Sequence, residues 1–184
     1  MSAGNRSLLG SLLFVGAAQF VFALVVAEAL YPGYTIAANY ISDLGVGSAA
    51  LLFGASVVLL GVTRFFGAVF GRQTLGTLLT VTLALGGLGS VGVGLFPETT
   101  GAYHGYFSIV TFFFGAVTVI LSYRVTHRPF SYFSVVLGII ALVAFVLSFT
   151  HNNLDIGRGG MERLIAYPLL VWSLAFGGYM MGSK

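Results

Sequence analysis

Six stretches of about 20 apolar residues, almost free of charge inside, constrain this chain more than any motif it carries. They read as Leu8–Leu30, Ala49–Phe66, Leu75–Phe96, Ala102–Tyr123, Tyr132–Thr150 and Met161–Met181. At ~1.5 Å of rise per residue, a helix of ~20 residues crosses the ~30 Å hydrocarbon core of a bilayer. None of the stretches alternates with a period of two, so closed barrel strands are excluded and helices are the spanning option. Composition points the same way. Hydrophobic residues make up 58% of the chain and charged residues 7%, whereas a water-facing domain needs roughly 25% charged residues. The expected fold is therefore an all-α membrane protein, a six-transmembrane-helix bundle in which residues 1–184 form a single domain. The expected location is the cell membrane, as a multi-pass protein. Ala27-Glu28-Ala29 resembles a signal-peptide cleavage site, but the apolar run before it exceeds the ~7–15 residues of a signal core. The first stretch is kept as a span.

Charge sets the expected orientation. The N-terminus, the second and fourth connections and the C-terminus carry Arg6, Arg64, Arg72, Arg124, Arg128 and Lys184, six of the eight basic residues. Lysine and arginine in short loops mark the cytoplasmic side, so both termini are expected there. The net charge of +3 is spread over short loops and termini, which excludes a nucleic-acid surface. Arg158 and Arg163 break the rule, and both lie among acids. All five acids, Glu28, Asp43, Glu98, Asp155 and Glu162, fall on the opposite, outer side, joined by His104 and His151. The chain has no cysteine, which removes disulfides, iron–sulfur clusters and thiol catalysis.

Small residues recur at helical spacing. Ser108, Thr111, Gly115, Thr118 and Ser122 form one stripe, Gly86, Ser90 and Gly94 another, and Gly178 and Gly182 a third. Such stripes allow close helix–helix approach in lipid. Gly87, Gly89 and Gly92 match the dinucleotide fingerprint by letter. They lie inside an apolar helix, with no preceding strand and no acid about 20 positions on, so the match is accidental.

The outer connections carry the candidate chemistry. In the first, Pro32 ends a helix, and Tyr31, Tyr34 and Tyr40 suit the headgroup level. Asn39 and Asp43 are four apart, so a short interfacial helix would present both on one face, with Ser42 or Asp43 as a cap. In the third, Pro97 closes a helix, and Glu98, Thr99 or Thr100 is placed to cap the next, which His104 begins. In the fifth, His151 and Asp155 are four apart and ligand-compatible if the helix continues, while Gly157, Gly159 and Gly160 give a flexible turn before Glu162 and Arg163. Glu28 lies inside an apolar run one turn from its end. Ionisable groups at such depth usually face the bundle interior, and Arg163 or Arg158 is its expected partner.

The pattern Tyr31-Pro-Gly-Tyr, then Asn39-Tyr-Ile-Ser-Asp-Leu-Gly45, Phe96-Pro-Glu98, His104, and Gly160-Met-Glu-Arg163 with Trp172 resembles a prokaryotic family of six-helix membrane proteins. That family is known as a domain of unknown function. The resemblance covers nearly the whole chain. It implies the fold and the joint importance of Asp43, Glu98, His104, Glu162 and Arg163, and no activity.

Three functions fit these residues. The first is a binding or transport protein whose outer polar pocket takes a small molecule, a lipid headgroup or an ion through Glu28, Asn39, Asp43, Glu98, His104, His151, Asp155, Arg158, Glu162 and Arg163. The second is a membrane-embedded hydrolase or transferase acting on a lipid at the outer leaflet. There a divalent metal, zinc or manganese by the mixed nitrogen–oxygen donors, would sit on His104, His151 and Asp155 or a neighbouring carboxylate. Its metal-free form has Asp43 or Glu98 orienting His104 as general base. The third is a structural subunit whose polar cluster ties the outer helix ends together.

Overall fold

The computed structural model describes residues 3–150 and 153–182. Five helices are long and apolar enough to cross a membrane: α1 (Ala3–Leu30), α2 (Ala50–Leu95), α3 (Ala102–Leu121), α4 (Phe130–Ser148) and α5 (Gly157–Gly182). No strand occurs among the described residues. α1 packs on α2 and α5, α2 on α3, α3 on α4, and α4 on α5, so the helices close into a ring. Large side chains such as Phe22, Leu51 and Ile139 are exposed on its outside, as expected of a surface solvated by lipid.

α2 differs from the sequence expectation. Two helices were expected, joined by a connection between Phe66 and Leu75; instead the helix runs on through those residues to a reversal at Gly76 (φ 72°, ψ 167°). That backbone conformation is open to glycine and strained for other residues. A straight helix of 46 residues would extend about 70 Å. Here the limbs on either side of Gly76 lie against each other: a Cβ on Gly61 would meet the Gly87 carbonyl oxygen at 2.5 Å, and one on Gly94 the Gly54 carbonyl oxygen at 2.6 Å. The segment 67–74 stays helical because it contains no proline and because Gly67 and Gly71 pack onto Leu9 and Leu13 of α1.

This reading moves Arg64. Expected in a cytoplasmic connection, it lies within the first limb of α2, buried inside the ring at 6% exposure. The small-residue stripes also sort themselves. A Cβ on Gly86 would meet the Gly115 backbone nitrogen at 3.4 Å, whereas Gly178 and Gly182 face open space; the close approach near the end of α5 is made by Gly177, against Gly10.

The connections 31–49 and 96–101 and the described residues 149–150 and 153–156 meet at one end of the ring, the acidic end. The Gly76 reversal and the connection from Ser122 to Pro129 lie at the other, the basic end.

Candidate functional site

The acidic end is built around the connection between α1 and α2. No interfacial helix forms there; the chain makes turns and then a short 3-10 helix, Ser42–Gly45. Asn39 and Asp43 nevertheless meet, because Asp43 Oδ2 accepts hydrogen bonds from Asn39 Nδ2 (3.0 Å) and from the Tyr40 backbone N–H (3.0 Å). Asp43 therefore holds its own loop, and Ser42 turns elsewhere. Ile41 and Leu44 are buried in the bundle core, so the loop plugs the ring.

The start of α5 clamps this plug. Gly157 and Gly159 were expected to loosen a turn; they are sites of close approach. A Cβ on Gly159 would stand 1.9 Å from the Asn39 carbonyl oxygen, and the Gly159 N–H donates to the Ala37 carbonyl at 3.1 Å. Arg163 Nη1 donates to the carbonyls of Ile36 (3.2 Å), Asn39 (3.3 Å) and Gly159 (3.0 Å). Its Nη2 donates to Glu28 Oε1 (2.5 Å) and to the Tyr34 hydroxyl (2.6 Å), which in turn donates to the Tyr40 carbonyl at 3.0 Å. Glu28 thus has the inward partner expected of it. Burial pushes the Tyr34 phenol up to about 12 despite the opposing pull of Arg163. Arg158 Nε donates to the Ala38 carbonyl at 2.5 Å, its guanidinium lies over the Tyr40 ring at 4.9 Å, and Nη2 is 3.7 Å from Asp43 Oδ2. Both arginines that break the charge rule are thereby engaged with loop carbonyls and carboxylates.

Three acids remain outside these ion pairs, and two of them, Glu162 and Glu98, bind the loop. Glu162 accepts from the backbone N–H groups of Ile41 and Ser42, at the mouth of the 3-10 helix. Such first-turn donors lack partners within the helix and favour negative charge. Ser42 Oγ donates to Glu98 Oε1 at 2.5 Å. Glu98 also shares a hydrogen bond with Asp43. Burial holds the Glu98 carboxyl above the usual carboxylate range, and Asp43 adds to the effect, while the Ser42 hydrogen bond and the nearby His104 oppose it. Glu98 caps nothing. It starts a 3-10 turn, Glu98–Thr100, and the residue before α3 is Gly101 at φ 61°; Thr100 donates back to the Pro97 carbonyl at 2.7 Å.

His104 is buried in the first turns of α3, with Nδ1 2.7 Å from the Phe96 carbonyl oxygen. A carbonyl only accepts, so Nδ1 carries the proton and a neutral ring keeps its lone pair on Nε2. Glu98, His104 and Glu162 line one cavity of about 460 Å³ with Ser42, facing the aromatic wall of Phe112 and Phe145.

Of the remaining candidates, Asp155 does not join. α4 ends at Ser148, and Asp155 is exposed at φ 56°, so the four-residue spacing to His151 falls on no helical face. His151 itself lies outside the described residues. Among the described residues no three histidine or carboxylate groups are placed to hold a metal, since the acids are committed to backbone N–H groups, to arginines and to one another. Sequence reasoning treated Ser42 as a cap, whereas it bridges the loop to Glu98. It also missed Arg64; the one signal was its position inside a stretch with no breaker.

A family model described as "Protein of unknown function (DUF998)" matches residues 14–179. No curated protein and no solved structure matches the chain.

Proposed function

The chain belongs to this family of unknown function, and from the geometry at the acidic end we propose that it is a six-span membrane protein that binds a small amphiphilic cation in the 460 Å³ cavity. The reversal at Gly76 supports six crossings from five assigned helices, because each limb of α2 is then about one bilayer long. Arg6, Arg72, Arg124, Arg128 and Lys184 favour a cytoplasmic basic end, with both termini there. The acidic end then opens to the outer side.

The observation that carries the reading is charge imbalance in a cavity. Glu98 and Glu162 both line it, as does Arg158; Arg158 is paired with Asp43 and Arg163 with Glu28, so neither lining acid is in an ion pair. Two carboxyl groups beside Phe112, Phe145 and Phe149 suit an ammonium head on an apolar body, since buried charges need partners and aromatic faces attract cations. The volume falls within the ~300–1,000 Å³ of small-molecule sites. A lipid headgroup bearing an ammonium has the same chemistry.

The test uses tetraphenylphosphonium as a probe on purified protein in detergent. Saturable binding is expected, with affinity falling about tenfold, equivalent to ~1.4 kcal/mol, in Glu98→Gln or Glu162→Gln. Equal binding of the tetraphenylborate anion, or no loss in either variant, refutes the reading and leaves the cluster as a structural tie between helix ends.

A second reading rests on His104. With Nδ1 tied to a carbonyl and Nε2 as acceptor beside Glu98, the residue is set up as a general base for a hydrolase or transferase acting on a lipid. Release of a lipid headgroup by the wild type but not by His104→Gln would favour it over binding alone.

A further inference from the structure

Among the described residues, Arg64 is the one buried charged side chain that the acidic end does not engage. It stands 14 residues into the first limb of α2 from Ala50, about 21 Å along the helix axis, far from the turns at either end. Its exposure is 6%. Neither ion pair among the described residues includes it. Nη1 and Nη2 reach the hydroxyls of Ser90 (3.5 Å) and Ser173 (3.3 Å). Both hydroxyls already donate to carbonyls of their own helices, Gly86 (3.0 Å) and Leu169 (2.8 Å), so they offer only lone pairs. Two long bonds to neutral groups satisfy donors but do not compensate a charge, and a charge inside a membrane protein is costly without a counter-charge.

There is room beside the guanidinium for one. A cavity of about 60 Å³ is lined by Arg64, by the hydroxyl residues Ser42, Ser90, Ser108 and Thr111, by Glu162, and for the rest by apolar side chains. A second, of about 10 Å³, touches Arg64, Ser173 and Thr118 on its other flank. A cavity needs roughly 10–15 Å³ to admit one water, so the larger one holds a small ion and the smaller one barely a water. The larger cavity shares Ser42, Ser108, Phe112 and Glu162 with the 460 Å³ cavity, so the two adjoin and the acidic end gives the route in. Glu162, which lines the same cavity, is held by backbone N–H groups and makes no ion pair with Arg64.

We propose that Arg64 is the base of a buried binding site for a small monovalent anion of halide size. The proposal does not depend on cation binding at the acidic end: Glu98, which lines only the 460 Å³ cavity, tests that reading, and Arg64, which lines only the smaller ones, tests this one.

The experiment titrates purified protein in detergent with sodium chloride or bromide against sodium gluconate at constant ionic strength. Thermal unfolding and the emission of Trp172 are both followed. Trp172 is the single tryptophan of the chain, 2% exposed, and lines the smaller cavity with Arg64. A saturable rise in midpoint of a few degrees with halide is expected, since a ligand that binds only the folded state stabilises it by mass action. Trp172 emission should change over the same concentration range. Arg64→Gln should abolish both responses. A wild type that responds identically to halide and gluconate overturns the proposal even if Arg64→Gln fails to fold. So does a folded Arg64→Gln protein that responds as the wild type does.

Discussion

Removing Arg163 should unlock the loop that closes the acidic end, and the size of the effect follows from what the guanidinium holds. Its side chain is 7% exposed and that of Glu28 22%. Arg163→Gln strands three backbone carbonyls, of Ile36, Asn39 and Gly159, together with the Tyr34 hydroxyl and the Glu28 carboxylate. Hydrogen bonds to charged groups contribute ~1.5–3 kcal/mol each, and breaking one side of a buried ion pair costs ~3–5 kcal/mol. The Ile36 and Asn39 carbonyls lie in a partly exposed loop and recover part of that from water, so a loss of about 4 kcal/mol is expected. Glu28→Gln leaves an amide oxygen for Arg163 to donate to, and should cost about 2 kcal/mol. In the double variant no uncompensated charge remains, although the carbonyls stay stranded. Its loss should fall short of the sum of the two by about 1–2 kcal/mol. Reversible unfolding of the four proteins in one detergent measures the cycle. Additive losses would mean that Glu28 and Arg163 do not interact in the folded protein. A Glu28→Gln loss as large as that of Arg163→Gln would mean that the loop carbonyls contribute nothing.

Gly159→Ala places a methyl 1.9 Å from the Asn39 carbonyl oxygen and 2.3 Å from that of Ile36, a clash between backbones that no rotamer relieves; a loss of about 1–3 kcal/mol is expected, against none for Gly178→Ala, which meets nothing within 4 Å, both read by thermal unfolding. The Glu98 carboxyl is held above its ordinary value of 4.5, so between that value and its folded pKa the native state binds more protons than the unfolded state. The stability that protonated Glu98 contributes is thus complete below pH 4.5 and declines as pH rises through the folded pKa. Glu98→Gln should flatten this part of the midpoint-versus-pH curve, and a curve of unchanged slope would contradict the assignment. With no native cysteine, single cysteines at Ser7 and Gln73 should react with an impermeant thiol reagent from the cytoplasmic side and one at Thr100 from outside; the reverse at Gln73 would invert the orientation.

The class of this protein was legible because lipid imposes a condition readable residue by residue: a spanning segment must be apolar throughout and must satisfy its own backbone. All six apolar stretches are accordingly helical, with ends within a few residues of expectation except where α2 runs through to Gly76. The acids could be assigned to one end for the same reason, since the spans order the connections. The Glu28–Arg163 pair could be anticipated from two misplaced charges. Partners within the cluster could not. Ser42 bonds Glu98 rather than capping a helix, Glu162 binds the N–H groups of a loop from the opposite end of the chain, and Asp155 turns away, because each depends on how the loop after α1 folds into the ring. Arg64 marks the limit most clearly. Sequence alone places an arginine between two apolar runs at a loop, since that is the common solution for a charge. Whether the helix stops there or carries the charge inward depends on the packing of Gly67 and Gly71 onto α1, a contact between segments more than 50 residues apart that only the tertiary structure decides.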